Sequence, residues 1–417
     1  MTRVSGPLAH VAFRNVVWGR AASFVGNGMA PVALSFAVLD LTGSVTQLGL
    51  VVGARSVAAV VATVFGGVLA DRLPRRLLLQ STAFGAAVTQ TAVGLSLLGG
   101  VASVPLLMLL SALNGALAAV ELPATTALVP QTVPGELLRR ANALLRTFTS
   151  FATVSGAAAG SLLIGWAGPS WGILADAASF AVAGLFFRRL RVGAVPRPAG
   201  RRSLLGDLSE GRDEFLRHRW LWSVVLHACV WQLIWAGGVQ VIGPAVAEAH
   251  TSARTWGFVL AAQTVGAVAG GVLALRWRPR APLAIGVLLT SFSAVLPWSL
   301  AVEPRAAVLV PAAFLAGVAM EQVNVALTVA VQERVASDRL ARVTSYQVLG
   351  SLVAVPLGQI LAGPLASLYG QERVLGAAGV CIVAVTLAVL AVPDVRAVRT
   401  EGGPDKARTR PRDEPVA

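Results

Sequence analysis

The amino-acid sequence predicts an all-α membrane protein in which twelve transmembrane helices form two pseudo-symmetric six-helix halves. Three observations support this prediction: long apolar runs, a one-sided distribution of basic residues, and an internal repeat. The 417 residues are 55% hydrophobic and only 13% charged, and the mean hydropathy is +0.71. Soluble proteins carry about 25% charged residues. The composition therefore excludes a soluble protein.

Twelve apolar runs are long enough to cross a bilayer as helices. We expect spans near 16–39, 46–70, 77–99, 104–126, 143–167, 170–187, 221–246, 255–275, 282–302, 306–329, 344–367 and 374–393. The first ten residues contain no short apolar region that ends in a cleavage site. The first run is therefore expected to be a retained helix rather than a signal peptide.

The basic residues lie almost entirely on one side of these spans. Of the 34 Lys and Arg residues, 29 fall on the side of the chain termini, three fall on the other side, and Arg20 and Arg55 lie within spans. Cytoplasmic loops of membrane proteins are rich in Lys and Arg. We therefore expect a multi-pass protein of the bacterial inner membrane with both termini in the cytoplasm. Although the net charge is +14, the charges form no single stripe, so nucleic acid is not an expected partner.

The longest break between spans divides the chain into two halves. We expect an N-terminal six-helix bundle over 1–187, a cytoplasmic central loop over 188–219 and a C-terminal six-helix bundle over 220–393. Residues 394–417 are rich in Pro, Gly and charge, which is typical of a disordered tail.

The two halves repeat each other at a nearly constant offset. Residues 66–76 (GGVLADRLPRR) and 270–280 (GGVLALRWRPR) close helices 2 and 8, and seven of the eleven positions are identical. The connections after helices 4 and 10 also match, at an offset of 202 rather than 204 residues. Chance similarity between apolar segments would not preserve the offset, so we expect two halves of common ancestry.

Several stretches carry a resemblance to a known family. Residues 67–76 resemble the motif between helices 2 and 3 of the major facilitator superfamily. Shorter stretches resemble the branch of that superfamily that contains an enterobactin exporter and bacterial drug-efflux proteins: LTGS at 41–44, PA at 123–124, LVP at 128–130, ANAL at 141–144 and DAASF at 176–180. The resemblance implies secondary transport by alternating access of the two halves.

The chain departs from this family at some positions. Asn27 stands where the family commonly has Asp in helix 1, and helix 4 lacks the Arg found in many proton-coupled members. The glycine motif of helix 5 is present from Gly156 to Gly160 without its proline. We expect these two glycines to be structural, and for Asp176 in helix 6 we favour packing or capping over a functional role.

A cytoplasmic gate is predicted where helix 2 ends. The resemblance implies that Asp71 pairs with a nearby Arg, or with the N-terminus of a helix in the other half, whose dipole favours an anion. Breaking that contact would release the inward-open state. The alternative is a solvated loop that only sets the topology. The predicted gate residues are Gly67, Asp71, Arg72, Arg75 and Arg76.

Ionisable residues within spans are candidates for proton coupling and substrate binding, because each costs about 2.5–3.5 kcal/mol at the centre of a membrane helix. Glu121 shares a face of helix 4 with Asn114, and Glu321 shares a face of helix 10 with Asn324. The two glutamates are expected to be related carboxylates that face one cavity. Buried carboxylates can exchange protons near neutral pH, as an antiporter requires. The alternative is a structural carboxylate bonded to a neighbouring helix.

Helices 1 and 2 add further polar candidates. Arg20 and Asn27 share one face of helix 1. Arg20 is expected to hold an anionic substrate group, to neutralise a glutamate or to extend to the inner interface, and the sequence leaves these three roles open. Arg55 in helix 2 is a cation within a span for which the sequence indicates no partner.

Helix 7 supplies aromatic candidates for the substrate cavity. His227, Trp231 and Trp235 follow each other at intervals of four residues, which places them on one face. Such a face can stack on a planar or cationic ligand, although Trp is also common in packing and at membrane interfaces. No second ligand lies at metal-binding spacing from His227, and no phosphate loop occurs. We expect no metal, no other cofactor and no enzymatic activity.

These features together predict a secondary active transporter that exports a small organic molecule by proton antiport, as a monomer in the lipid bilayer. Drug, antibiotic and siderophore-like substrates fit equally well. A proton-coupled uptake symporter is the alternative, because direction depends on the order of coupling rather than on the fold. A non-transporting membrane protein on the same scaffold is a third hypothesis, and the gate and the buried carboxylates argue against it.

Overall fold

Twelve long helices match the predicted spans. The computed structural model describes residues 6–72, 74–190, 217–277, 279–335 and 340–398, apart from the side chains of 64–72, 122–123, 126–127, 340–349 and 351. Within these residues, twelve helices are long and apolar enough to cross a membrane, which confirms the predicted number. They are α1 (Val11–Thr42), α2 (Val45–Arg72), α3 (Arg75–Leu98), α4 (Val104–Leu128), α5 (Leu138–Ala167), α6 (Pro169–Arg188), α7 (Arg219–His250), α8 (Ala253–Arg276), α9 (Pro282–Val302), α10 (Ala306–Arg334), α11 (Leu340–Tyr369) and α12 (Gln371–Leu390).

The connections between helices show the internal repeat. Gly168 separates α5 from α6 with φ of 91°, and Gly370, 202 residues later, separates α11 from α12 with φ of 85°. Glycine adopts these positive φ values without the steric cost that a side chain imposes. The two halves therefore make the same turn with the same residue, at the offset found in the sequence.

The first six helices and the last six pack in the same pattern. In the first half α1 packs on α5, α2 on α4 and α3 on α6; in the second half α7 packs on α11, α8 on α10 and α9 on α12. Across the halves, α2 contacts α11 and α5 contacts α8. The fold is thus two pseudo-symmetric six-helix bundles that meet along two pairs of helices.

The apolar core joins the halves toward one membrane face. We call the face where α1 begins and α12 ends the terminal face, and the opposite one the loop face. Near the loop face a single cluster combines both halves and includes Leu48 and Trp256. Near the terminal face each half has its own cluster, around Phe13 and around Leu221. Among the described side chains, the halves are therefore joined near the loop face and separate near the terminal face.

Two spans of the second half depart from a regular α-helix. α7 contains a π-helical turn, Gly238–Ile242, and α9 contains a 3-10 turn, Thr290–Ala294. Such turns change the face that the following residues present, and they are frequent at functional sites. Both turns lie beside polar side chains of the second half.

Parts of the predicted loop and tail lie outside the described residues, namely 191–216 of the predicted central loop and 399–417 of the predicted tail. The described start of the tail is folded: Pro393–Arg396 form a short helix, α13, and Val395 and Val398 are buried against the second half. Packing continues beyond the predicted boundary at 393, because these two valines add apolar contact area.

Candidate transport site

A cavity of about 350 Å³ lies between the two halves, in the part of the spans between their middle and the loop face. Its volume is in the range of small-molecule binding pockets. Both halves contribute to the wall, through α1, α2, α3 and α4 on one side and α7, α8 and α11 on the other. The polar and aromatic lining residues are Ser35, Arg55, Ser56, Gln90, Ser111, Asn114, Trp235, Gln240, Trp256, Gln263 and Gln359.

Arg55 is held in the cavity wall by a hydrogen bond to a neutral side chain. Its Nε donates to Oδ1 of Asn114 at 3.3 Å, and Nδ2 of Asn114 donates to Oγ1 of Thr89 at 3.4 Å. Gly115 lets α4 approach α2 at this point, because a Cβ there would overlap the backbone carbonyl of Arg55. Asn114, a predicted cavity residue, therefore lines the cavity and orients a cation that the sequence left without a partner.

The second half repeats this packing with an uncharged residue. Gly317, 202 residues after Gly115, meets the backbone carbonyl of Gln263 in α8. Gln263 lines the cavity, as Arg55 does. Gln263 is therefore the counterpart of Arg55 in the second half, and the cavity has a cation on one side and an amide on the other.

A buried ion pair joins α1 to α4. Nη1 of Arg20 lies 2.5 Å from Oε1 of Glu121, and each residue is 6% exposed. The guanidinium also lies over the ring of Phe24, with 4.7 Å between Cζ and the ring centroid, a cation–π arrangement. Glu121 is therefore a paired carboxylate, and of the three roles left open for Arg20 the structure shows the neutralisation of a glutamate.

Asp176 is fully buried between the helices of the first half. Its Oδ2 accepts a hydrogen bond from Nε2 of Gln90, a cavity residue, while its Oδ1 has no hydrogen-bond partner in the described structure. Oδ1 lies against α1, and a side chain at Gly26 would overlap it. Arg55 acts on this carboxylate as an opposite charge at longer range. Asp176 thus connects the packing of α1 on α6 to the cavity wall.

Glu321 lies in a different environment from Glu121. It is half-buried on α10 beside Gly271 of α8, and Arg146 of α5 attracts it across the two halves. Neither glutamate is among the residues that line the described cavity. The expectation that both carboxylates face one cavity is not met in this conformation, because Glu121 pairs with Arg20 within its own half and Glu321 packs beside Gly271 of α8.

The predicted aromatic face of α7 divides between the cavity and the interior of the second half. Trp235 lines the cavity and stacks on Trp231, with ring centroids 4.9 Å apart. Trp231 is buried, and its Nε1 donates to Oγ of Ser293 at 2.8 Å. Trp231 therefore supports the cavity wall from behind, while Trp235 forms part of its surface.

His227 belongs to a buried hydrogen-bonded cluster instead of the cavity. Its Nε2 lies 3.1 Å from Oγ1 of Thr386 and 3.2 Å from Oγ1 of Thr290. These hydroxyls satisfy a polar ring that the core would otherwise exclude. Asn324 is exposed on α10. The structure thus places both predicted cavity residues away from the described cavity, because the periodicity of a helix does not reveal which neighbour its face meets.

The predicted gate is described only in part. Arg76 is exposed, and its Nη2 donates to the backbone carbonyl of Arg188 at 2.7 Å, at the C-terminus of α6 where a cation is favourable. Arg75 is half-buried beside it. Arg76 thus ties α3 to α6 within the first half. Three further gate residues lie where side chains are not described: Gly67, Asp71 and Arg72.

The two glycines of α5 are packing residues. A Cβ at Gly156 would overlap the backbone carbonyl of Val25, and one at Gly160 would collide with Met29. The close approach of α5 to α1 therefore requires both glycines. Asn27 is half-buried on α1 between these contacts.

In the described residues, no group of three or more His, Cys, Asp or Glu side chains is placed to hold a metal ion.

Three glutamines of the cavity wall, Gln90, Gln263 and Gln359, were missed by sequence reasoning, while Gln240 lies near the predicted aromatic face of helix 7. An isolated amide in an apolar run produces no periodic pattern, so spacing arguments pass over it. The sequence feature that could have identified them is an amide inside an apolar span, because burying an amide without a hydrogen-bond partner is costly. Gln359 and Gln240 meet part of that need by bonding each other, Nε2 to Oε1, at 2.8 Å.

Comparisons with known proteins agree with this architecture. The sequence matches the profile of the Major Facilitator Superfamily over residues 16–351. It is 27% identical over 346 residues to the uncharacterised MFS-type transporter y4rN of Sinorhizobium fredii, with 81% of this chain and 84% of the relative covered. It is 29% identical over 300 residues to the enterobactin exporter EntS of Escherichia coli, with 70% of each covered.

A solved structure shares the fold. The crystal structure of the nucleoside transporter NupG superposes with a TM-score of 0.72 at 13% identity, over 91% of this chain and 98% of that one. The family match spans most of the residues that form the two bundles, and the helix arrangement agrees with it. The chain therefore belongs to the Major Facilitator Superfamily and is a multi-pass membrane protein of a family whose members carry small molecules across lipid bilayers.

Proposed function

We propose that this protein exports a small organic molecule by alternating access, with the cavity between the halves as its substrate site. The position of that cavity carries the proposal, because it lies within the spans, between their middle and the loop face, and takes its wall from both halves. Rocking of one half against the other moves such a site from one membrane face to the other. Among the described side chains, the halves share one apolar cluster near the loop face and have separate clusters near the terminal face, which supports an arrangement open toward the terminal face as one end state of this movement.

The proposed direction rests on the relatives and on the charge distribution. An enterobactin exporter is similar over 70% of its length. The excess of Arg and Lys on the side of the termini supports a cytoplasmic terminal face in a bacterial inner membrane. With this topology, separation of the halves toward the terminal face gives access from the cytoplasm, where an exporter loads. One chain supplies the whole cavity, which supports a monomer.

We propose proton antiport as the energy source, with Glu121 as a coupling carboxylate. Its partner Arg20 is buried beside it, so a proton on Glu121 leaves Arg20 unpaired and loosens α1 from α4. Because α1 also supplies Ser35 to the cavity wall, this step links protonation to the cavity. Glu321 is the second coupling candidate, since Arg146 of the other half acts on it as an opposite charge.

The gate of the terminal face is proposed at the end of α2. Asp71, flanked by Arg72, supplies the anion that closes this face against the second half. Leu275 occupies the matching position of α8 and is 77% exposed, so the second half supplies no anion there. The closure is therefore asymmetric.

Accumulation of dyes and antibiotics in an efflux-deficient host tests the proposed function. Cells with the wild type are compared with cells that carry Asp71→Ala, with and without a protonophore. Lower accumulation in the wild type alone, abolished by the protonophore, is the expected result. Higher accumulation in the wild type would indicate uptake instead of export. Equal accumulation of every compound would contradict export of drug-like molecules.

A further inference from the structure

We infer that the cavity binds substrates that carry an anionic group, and that Arg55 receives this group. The inference rests on the proposed function, because it names the chemical class of the transported molecule. Arg55 is the one charged side chain among the described residues that line the cavity. A cation inside a membrane helix is costly and in general marks a functional site. Its position in the wall of the shared cavity identifies that function as ligand binding.

The guanidinium of Arg55 keeps hydrogen-bond donors available for a ligand. Only Nε is used, by Asn114, and the two terminal nitrogens make no hydrogen bond to the described residues. These nitrogens form a planar fork that fits a carboxylate, sulfonate or phosphate group. The bond to Asn114 therefore orients the side chain without using the donors that bind an anion best.

The two buried carboxylates that the structure describes in the first half do not compete for these donors. The Oδ2 atom of Asp176 accepts a hydrogen bond from Gln90, and among the described residues no ion pair joins Asp176 to Arg55. Glu121 is paired with Arg20. The positive charge of Arg55 is thus balanced only at a distance, which leaves room for a ligand anion.

The rest of the wall indicates the other features of the ligand. Trp235 and Trp256 supply flat apolar surfaces. Together with Arg55, they make the cavity fit a planar organic anion.

The charge preference of the cavity can be measured without knowledge of the substrate. In purified protein that carries Cys229→Ala and Cys381→Ala, the substitution Ser111→Cys places a thiol in the wall of the cavity. The reporter reacts with methanethiosulfonate reagents of similar size that carry either a sulfonate or a trimethylammonium group. We expect the anionic reagent to be favoured about tenfold, relative to a reporter made by Val101→Cys in an exposed loop.

The repeat provides matched variants for this measurement. Arg55→Gln gives the first half the residue that its counterpart Gln263 has in the second half, and it should abolish the preference for the anionic reagent. Arg55→Lys should retain the preference. Equal rates with both reagents when Arg55 is present, or a preference that survives Arg55→Gln, would overturn the inference. If Arg55→Gln fails to fold, Gln263→Arg replaces it, and an unchanged ratio in that variant would equally overturn the inference.

Protection by ligands tests the chemical class directly. Indole-3-acetate and its neutral analogue indole-3-acetamide compete with the uncharged reagent methyl methanethiosulfonate at the Ser111→Cys reporter. The acid should protect at a lower concentration than the amide, and equal protection or none would contradict an anion site. The rates of thiol modification are measured on purified protein and do not depend on transport. An Arg55-dependent preference without export would refute only the proposed function, and export with equal rates would refute only this inference.

Discussion

Inside the first half, α1 and α4 bury the ion pair of Arg20 and Glu121, and α6 buries Asp176. In the second half the buried polar side chains are hydroxyl, imidazole, indole and amide groups, such as those of His227 and Thr386. None of the fully buried residues described there carries a carboxylate or a guanidinium. The helices nevertheless pack in the same pattern in both halves. One scaffold thus supports two kinds of interior.

This difference in buried charge suggests different functions for the two halves. Buried charge is expensive in a membrane helix, so it persists where a function needs it. Fully satisfied networks of hydrogen bonds mainly make a core rigid. We therefore propose that the first half carries Arg55 for substrate binding and Glu121 for proton coupling, while Glu321 is the coupling candidate of the second half. The second half supplies both tryptophans of the cavity wall, Trp235 and Trp256, and three of its glutamines.

The substitution Arg20→Met should have the largest effect, because it leaves Glu121 buried without a partner. Breaking a buried ion pair costs about 3–5 kcal/mol. The unfolding temperature of the purified protein should therefore fall steeply. The double variant Arg20→Met/Glu121→Leu should recover most of the loss, since it removes both charges. A single variant as stable as the wild type would show that the first half does not depend on this pair.

Gly156→Ala and Gly358→Ala should destabilise the protein by similar amounts, because the two halves share their packing. A Cβ at Gly156 meets the carbonyl of Val25, and a Cβ at Gly358, 202 residues later, meets that of Leu233. Overpacking of this kind costs about 1–3 kcal/mol. The same thermal unfolding measurement applies, with Gly376→Ala as a control at an open position. A loss of stability in only one of the two variants would show that the packing of the halves is asymmetric as well.

Thr386→Val should have the smallest effect, and it sharpens the comparison between the two interiors. The substitution removes a hydroxyl that bonds His227 in the second half. The loss of one buried hydrogen bond costs about 1 kcal/mol. Stability should fall slightly while export continues at the wild-type level, which the accumulation assay measures. Loss of export in this variant would assign transport chemistry to the second half.

The spans and the repeat could be predicted because they depend on local properties of the chain. Apolar length alone placed the second span at 46–70, where the helix runs over Val45–Arg72. The constant offset located two related halves before any packing was known. The π-helical turn Gly238–Ile242 gave no such signal, since its sequence GVQVI reads as an ordinary apolar helix.

The partners of the buried polar groups could not be predicted, because they come from distant helices. Arg20 and Glu121 are 101 residues apart, and either could have met several other side chains. Spacing correctly places His227 and Trp235 on one face of α7, but that face meets the second-half interior at one end and the cavity at the other. Helical periodicity identifies a face, whereas tertiary packing decides what the face contacts.

The most direct test of the account compares one variant from each interior in a protonophore-sensitive export assay. Cells that express the wild type, Glu121→Gln or Thr386→Val are loaded with a compound that the wild type exports, and its efflux is followed with and without a protonophore. The account predicts that Thr386→Val retains protonophore-sensitive efflux and that Glu121→Gln loses it at an equal amount of protein in the membrane. Full protonophore-sensitive efflux by Glu121→Gln would contradict a proton-coupling role for the charged first half.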